Sequence, residues 1–271
     1  MKLPHTLHIY LRLAGAVTRS QMQYRVSFLV DSLGVMLTNA LEFAAFALAF
    51  GAFGSIGGWP LARVAFLWGL SEMAFATMDM LFSGFDPSFF SKGIKRGTFD
   101  QMLLRPVNLV AQVFASDVAL RRLGRVAQGA AIFAFALLNL QMTWPPEKVI
   151  YLVMVFVSAV CFYGALFVLG AALCFWTTES LEIVNIFTYG GTTMASYPMH
   201  IYNDFLRRVF TFVIPTAIMI YYPALYFFDL PDPLGLPRFV SFLAPITGAL
   251  LLMAALLVWR FGVSKYQSAG A

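Results

Sequence analysis

The feature that most constrains this chain is a series of long apolar runs, at 26–53, 61–84, 123–142, 149–176, 181–197 and 239–260, separated by polar or Gly/Pro-rich breaks. Crossing the hydrocarbon core of a bilayer takes roughly 20 apolar residues in a helix, and backbone in lipid must satisfy its own hydrogen bonds. The runs therefore predict an all-α integral membrane protein with six transmembrane helices. Composition excludes a water-soluble globule: 60% of the residues are hydrophobic and 11% charged, with a mean hydropathy of +0.77, far outside soluble usage. The breaks at 54–60 (Gly-Ser-Ile-Gly-Gly-Trp-Pro) and 143–146 (Thr-Trp-Pro-Pro) are turn-forming links that predict antiparallel helix hairpins. Each carries a tryptophan, so Trp59 and Trp144 are expected at one membrane interface.

The placement of charge sets the orientation. Thirteen of the eighteen basic residues fall in the N-terminal segment, in 85–125 and in the tail; Arg63, Lys148, Arg207, Arg208 and Arg238 fall on the other side. By the positive-inside rule both termini and the 85–125 segment are cytoplasmic. The net charge of +5 is thus a membrane-topology signal and not a nucleic-acid footprint. Cys161 and Cys174 share one apolar run, with no paired-cysteine or zinc-ligand spacing.

Three regions lie outside the plain spans. In residues 1–25, His8, Arg12, Gly15, Arg19 and Gln23 share one helical face and Leu7, Tyr10, Leu11, Ala14 and Val17 the other. That pattern fits an amphipathic helix in the cytoplasmic headgroup layer; a solvated helix packed on a partner is the alternative. The 198–236 segment is apolar over 205–228 but interrupted by Pro215, with Arg207 and Arg208 in its first half. It reads as an outer re-entrant helical hairpin, 201–212 and 215–228, between the fifth and sixth spans; a kinked full span is the alternative. The organisation is then an interfacial helix (1–25), one transmembrane domain (26–260) with a cytoplasmic segment at 85–122, and a cytoplasmic tail (261–271).

Chemistry is sparse. The chain has no P-loop, no His-Glu-x-x-His and no Gly-x-Ser-x-Gly pattern, so it lacks the residues of an enzyme of those kinds. His5, His8 and His200 have no accompanying carboxylate cluster, which argues against a metal site. Glu42 and Glu72 fall near the middles of the first two runs. Intramembrane carboxylates are costly and face a bundle interior or a watered cavity. Two readings stand: with Asn39 they line a pathway for a cationic group or protons, or they are satisfied structurally between helices, with Asn39 and Ser71 as neighbours.

The strongest local signal is 91–107, Ser-Lys-Gly-Ile-Lys-Arg-Gly-Thr-Phe-Asp-Gln-Met-Leu-Leu-Arg-Pro-Val. It resembles the segment between the second and third spans of permeases of the ABC-2-type exporter superfamily, in the bacterial branch that carries Gly-x-x-Asp-x-x-Leu-Leu-x-Pro. The match holds at Gly97, Asp100, Leu103, Leu104, Arg105, Pro106 and Val107. Gly190-Gly191, Tyr197-Pro198, Ile201-Tyr202, Arg207 and Pro215, and the ending Tyr266-Gln267-Ser268-Ala269-Gly270, are similar to further patterns of that family. The resemblance implies a subunit of the bacterial inner membrane that pairs with a second copy or a related permease to form the substrate pathway. It also implies separate ATP-binding subunits that hold ATP and Mg, with no cofactor in this chain. A short helix within 86–105, started by Pro87 and ended near Gly97, would couple to the ATPase. Apolar residues in a water-facing loop need a partner surface, which points to Phe89, Phe90, Ile94, Phe99 and Leu103 as docking side chains. The competing classes are a secondary transporter or channel that uses Glu42 and Glu72, and a membrane assembly subunit that transports nothing.

Overall fold

A computed structural model describes residues 12, 15–16, 18–23, 25–177, 182–232 and 235–268. The described chain is helical, and its single extended feature is an isolated bridge between Ile56 and Trp59. Four helices are long and apolar enough to cross a bilayer: α1 (Arg25–Phe53, apolar over Leu29–Leu48), α2 (Leu61–Leu81), α7 (Pro146–Thr177) and α13 (Ala244–Lys265). Between them come α3 (Pro87–Lys95), α4 (Thr98–Leu103), α5 (Leu109–Ser116) and α6 (Leu123–Asn139). After α7 follow the short α8 (Glu182–Asn185), α9 (Gly191–Ala195), α10 (Asp204–Arg208), α11 (Thr216–Met219) and α12 (Tyr221–Phe227).

The expectation of six full-length spans is met only in part. At 17 residues, α6 is about 26 Å long at 1.5 Å per residue, short of the roughly 30 Å hydrocarbon core. The run at 181–197 forms α8 and α9 joined by a π-helical turn, Ile186–Gly190. In the 204–227 segment α10 continues as a second π turn, Val209–Val213, and breaks before Thr216, with a bend of 70° between the two halves. Pro215 supplies the break, since it has no N–H to continue the ladder. A broken span and a re-entrant loop share this geometry. Arg12 and residues 15–16 and 18–22 are helical, but His8 and the whole predicted apolar face, Leu7, Tyr10, Leu11, Ala14 and Val17, lie outside the described residues.

The packing order departs from the chain order. α13 lies along α7, α6 lies along α2, and α2 also meets α7, so the row runs α6, α2, α7, α13. Small residues permit the closest crossings: a Cβ on Gly69 of α2 would sit 2.5 Å from the Phe133 nitrogen of α6, and one on Gly248 of α13 would sit 2.6 Å from the Ser158 carbonyl of α7. The links at 54–60 and 143–146 therefore do not join closest neighbours, contrary to the hairpins read from their length. α1 runs along α6 and reaches α2 through Phe43 and Phe46, both within 6 Å of the Trp68 ring. Most of its large apolar side chains, Leu33, Leu37 and Leu41 among them, are exposed.

The link between α1 and α2 is a two-residue turn. Gly57 and Gly58 have φ of 56° and 81°, and Ile56 and Trp59 exchange both backbone hydrogen bonds at 3.1 and 2.9 Å. Two consecutive left-handed residues are what such a turn requires, which accounts for the glycine pair. Trp59 then packs on Tyr221 and Phe228, while Trp144 packs on Phe66 and Phe227. Phe66 also meets Phe228, so both tryptophans join one aromatic cluster at one end of the bundle.

Candidate functional site

The opposite end is built by the segment between α2 and α6. A 3-10 turn, Ser83–Phe85, leads to Asp86, whose Oδ1 accepts from the backbone N–H groups of Ser88 and Phe89 at 2.9 Å each. With Pro87 at the first helical position this is a complete N-terminal cap. Lys92 and Lys95 sit in the last turn of α3, where cations oppose the helix dipole favourably. Gly97, at φ 68°, turns the chain into α4; a side chain there would be strained.

α3 and α4 are wedged against the ends of the long helices by aromatic side chains. The Phe90 ring lies 4.9 Å from Trp259 of α13 and 5.5 Å from Phe175 of α7. Phe99 lies 5.2 Å from Phe175 and 5.0 Å from Tyr266. Asp100 accepts a hydrogen bond from Ser268 at 3.1 Å. The Gly-Thr-Phe-Asp stretch and the Tyr-x-Ser ending, far apart in sequence, are thus one contact.

From Leu103, the last residue of α4, through Leu104 and Arg105 to Pro106 the chain forms an exposed turn. Gln112 of α5 holds it shut by donating from Nε2 to the carbonyls of Met102 and Val107, both at 3.1 Å. Asn108 caps α5 through Ala111 N–H at 3.2 Å. α5 crosses so close to Gly84 that an added Cβ would collide with the Val113 carbonyl. Finally Gln21, from the N-terminal segment, donates to the Val118 carbonyl at 2.8 Å and accepts from Leu120 N–H at 3.3 Å.

This geometry divides the docking side chains expected from sequence. Phe90, Ile94 and Phe99 are 1–5% exposed and belong to the chain's own core; they face inward because α7 and α13 supply the apolar surface they need. Phe89, Leu103 and Leu104 are 44–85% exposed and, with Arg105 and Pro106, form the outward face.

The intramembrane acids are divided as well. Glu72 is bound by Arg125 of α6, whose Nε and Nη2 donate to its two carboxylate oxygens at 2.6 and 3.0 Å. The guanidinium also lies 5.2 Å from the centre of the Phe75 ring. One helical stretch further, Asp79 pairs with Arg122 at 2.7 Å. The two glutamates have different surroundings: Glu72 faces α6, while Glu42 is exposed on α1 with Asn39 half-buried beside it. Sequence reasoning counted Arg122 and Arg125 only as orienting charges. The spacings that betray the pairs are seven residues between the acids of α2 and three between the arginines, each placing two charges on one helical face. Among the described residues no three His, Cys, Asp or Glu side chains converge as a metal site would need.

The family model described as "ABC-2 family transporter protein" matches residues 36–270. The chain belongs to that family. It is a multi-pass membrane protein and a permease of an ABC transporter, and membership implies an ATP-binding partner subunit. The match spans α2 to α13, including every element of the aromatic wedge just described. No curated protein and no solved structure matches the chain.

Proposed function

We propose that this ABC-2 permease is one half of an ATP-driven exporter of the bacterial inner membrane. It pairs with a second copy or a related permease and takes its energy from separate subunits that bind ATP and Mg. The supporting observation is the two-sided build of 86–106. Phe89, Leu103, Leu104, Arg105 and Pro106 face outward, where an ATPase groove would receive them. Phe90 and Phe99 lie against Phe175 and Trp259 toward the ends of α7 and α13, and Ile94 is buried. A push on the outward face is carried into two long helices through close-packed rings, which resist compression.

ATP binding would draw two such segments together and favour one orientation of the paired permeases, with hydrolysis restoring the other. In this reading both termini and the 85–122 segment are cytoplasmic, as the basic residues suggest, and the bent 204–227 segment dips into the outer leaflet and returns. Exposed Glu42 and half-buried Asn39 on α1 are the pathway candidates. Glu72 is satisfied by Arg125, which weakens the alternative of a secondary transporter based on two free glutamates. The test is copurification of the ATP-binding subunit with the permease. Leu104→Asp, on the outward face, is expected to abolish it while the permease stays folded and monodisperse. Retention of the ATPase by that variant would refute the docking assignment.

A further inference from the structure

A cavity of about 400 Å³ lies between α3, α4 and α5, with Ala16 of the N-terminal segment on its rim. That volume is within the range of small-molecule sites. Its walls are apolar, with Phe89, Met102 and Val113 prominent, and three cations border it: Lys92, Arg96 and Arg105. No carboxylate lines it among the described residues, and none of the three cations has an ion-pair partner among them. The cavity sits beside Phe90 and Phe99, which pack on Phe175 in the last turn of α7 and on Trp259 two turns from the end of α13. It is therefore level with the ends of the long helices.

We propose that this cavity binds one anionic phospholipid, with its phosphate held by Lys92, Arg96 and Arg105 and an acyl chain laid between Phe89, Met102 and Val113. Although Lys92 also borders a second cavity with Asp79, Asp86 and Asp117, three cations with no ion-pair partner among the described residues ask for an anion. The apolar walls ask for a chain attached to it, so a free phosphate would leave most of the cavity unfilled. A lipid seated here would bridge α3, α4 and α5, and so would set the stiffness of the segment that faces the ATPase. The proposal rests on the segment lying at the membrane surface; it does not need the ATPase to dock there.

The test is native mass spectrometry of the full-length permease in detergent without its partner, titrated separately with phosphatidylglycerol, phosphatidylcholine and inorganic phosphate. We expect one phosphatidylglycerol retained with at least about tenfold preference over phosphatidylcholine, since each basic residue near an anionic lipid adds favourable attraction. Retention is expected to weaken as salt is raised. Lys92→Gln/Arg96→Gln/Arg105→Gln is expected to lose the preference. Gly93→Phe provides a second variant that keeps every charge: a Cβ at Gly93, on the cavity wall, meets nothing within 4 Å, so the ring can enter and displace the lipid. Equal retention of both lipids, or unchanged retention in both variants, would overturn the proposal. Displacement by millimolar phosphate would also overturn it, in favour of a soluble anion. Loss of ATPase copurification in the triple variant without any lipid preference in the wild type would assign the cations to the protein partner. Failure of the lipid test leaves the docking role of Leu104 standing, because that is read by copurification alone.

Discussion

The pair between Glu72 and Arg125 allows a worked prediction. Arg125→Gln removes the cation and both of its hydrogen bonds, at 2.6 and 3.0 Å, and leaves a carboxylate in the middle of α2 facing α6. Removing one partner of a buried ion pair costs about 3–5 kcal/mol, because the remaining charge is uncompensated. Both side chains are 17–18% exposed, so the low end, about 3 kcal/mol, is expected. At roughly 2–4 °C per kcal/mol for a domain of 150–250 residues, that is a fall of about 6–12 °C in the midpoint of thermal unfolding. The assay is tryptophan fluorescence or size-exclusion survival of the detergent-solubilised permease on heating. Glu72→Gln/Arg125→Gln removes both charges and is expected to recover at least half of the loss, since two amides can hydrogen-bond each other. A fall of less than about 2 °C in the single variant, or a double variant as unstable as the two single losses added together, would show that the two side chains do not compensate each other.

Three further outcomes follow from the same contacts. Phe99→Ala empties a buried ring site between Phe175 and Tyr266 and is expected to cost about 3–5 kcal/mol, read as a lowered unfolding midpoint together with weaker ATPase binding. Gln112→Leu removes both clamps on the 103–106 turn and is expected to accelerate proteolysis at that turn while costing the fold only about 1–3 kcal/mol. In sealed inside-out vesicles Leu104→Cys is expected to react with a membrane-impermeant maleimide and Phe99→Cys to stay protected; the reverse order would contradict the inward and outward faces.

Local chemistry was readable from the sequence where it is self-contained. Apolar length located α1, α2, α7 and α13, and the Pro87 start and Gly97 stop of α3 depend only on adjacent residues. The inward and outward faces of the 86–106 segment were not readable, because Phe89 and Phe90 are the same residue type one position apart. A helix turns about 100° per residue, and only the positions of Phe175 and Trp259 decide which ring is covered. The same limit applies to neighbours among the spans: a short link suggests adjacency, but the glycine crossings of α2 with α6 and of α7 with α13 override it. Arg125 was misleading for a different reason. A cation at the edge of an apolar run satisfies the orientation rule equally well whether it faces water or reaches inward to a carboxylate.

The hydrogen bond between Asp100 and Ser268 spans 168 residues, and Trp259 and Tyr266 also come from the end of the chain. During synthesis the 86–106 segment therefore emerges long before the surface it rests on exists. At about 5–20 residues per second the wait is on the order of ten to thirty seconds. Through that interval Phe90 and Phe99 have at most Phe175 to rest on, and the outward face has no fixed shape. A chain cut before Trp259 would keep α1, α2, α6 and α7 yet leave the Phe90 and Phe99 rings without Trp259 and Tyr266, so the 86–106 segment takes its final form only when α13 has joined the bundle.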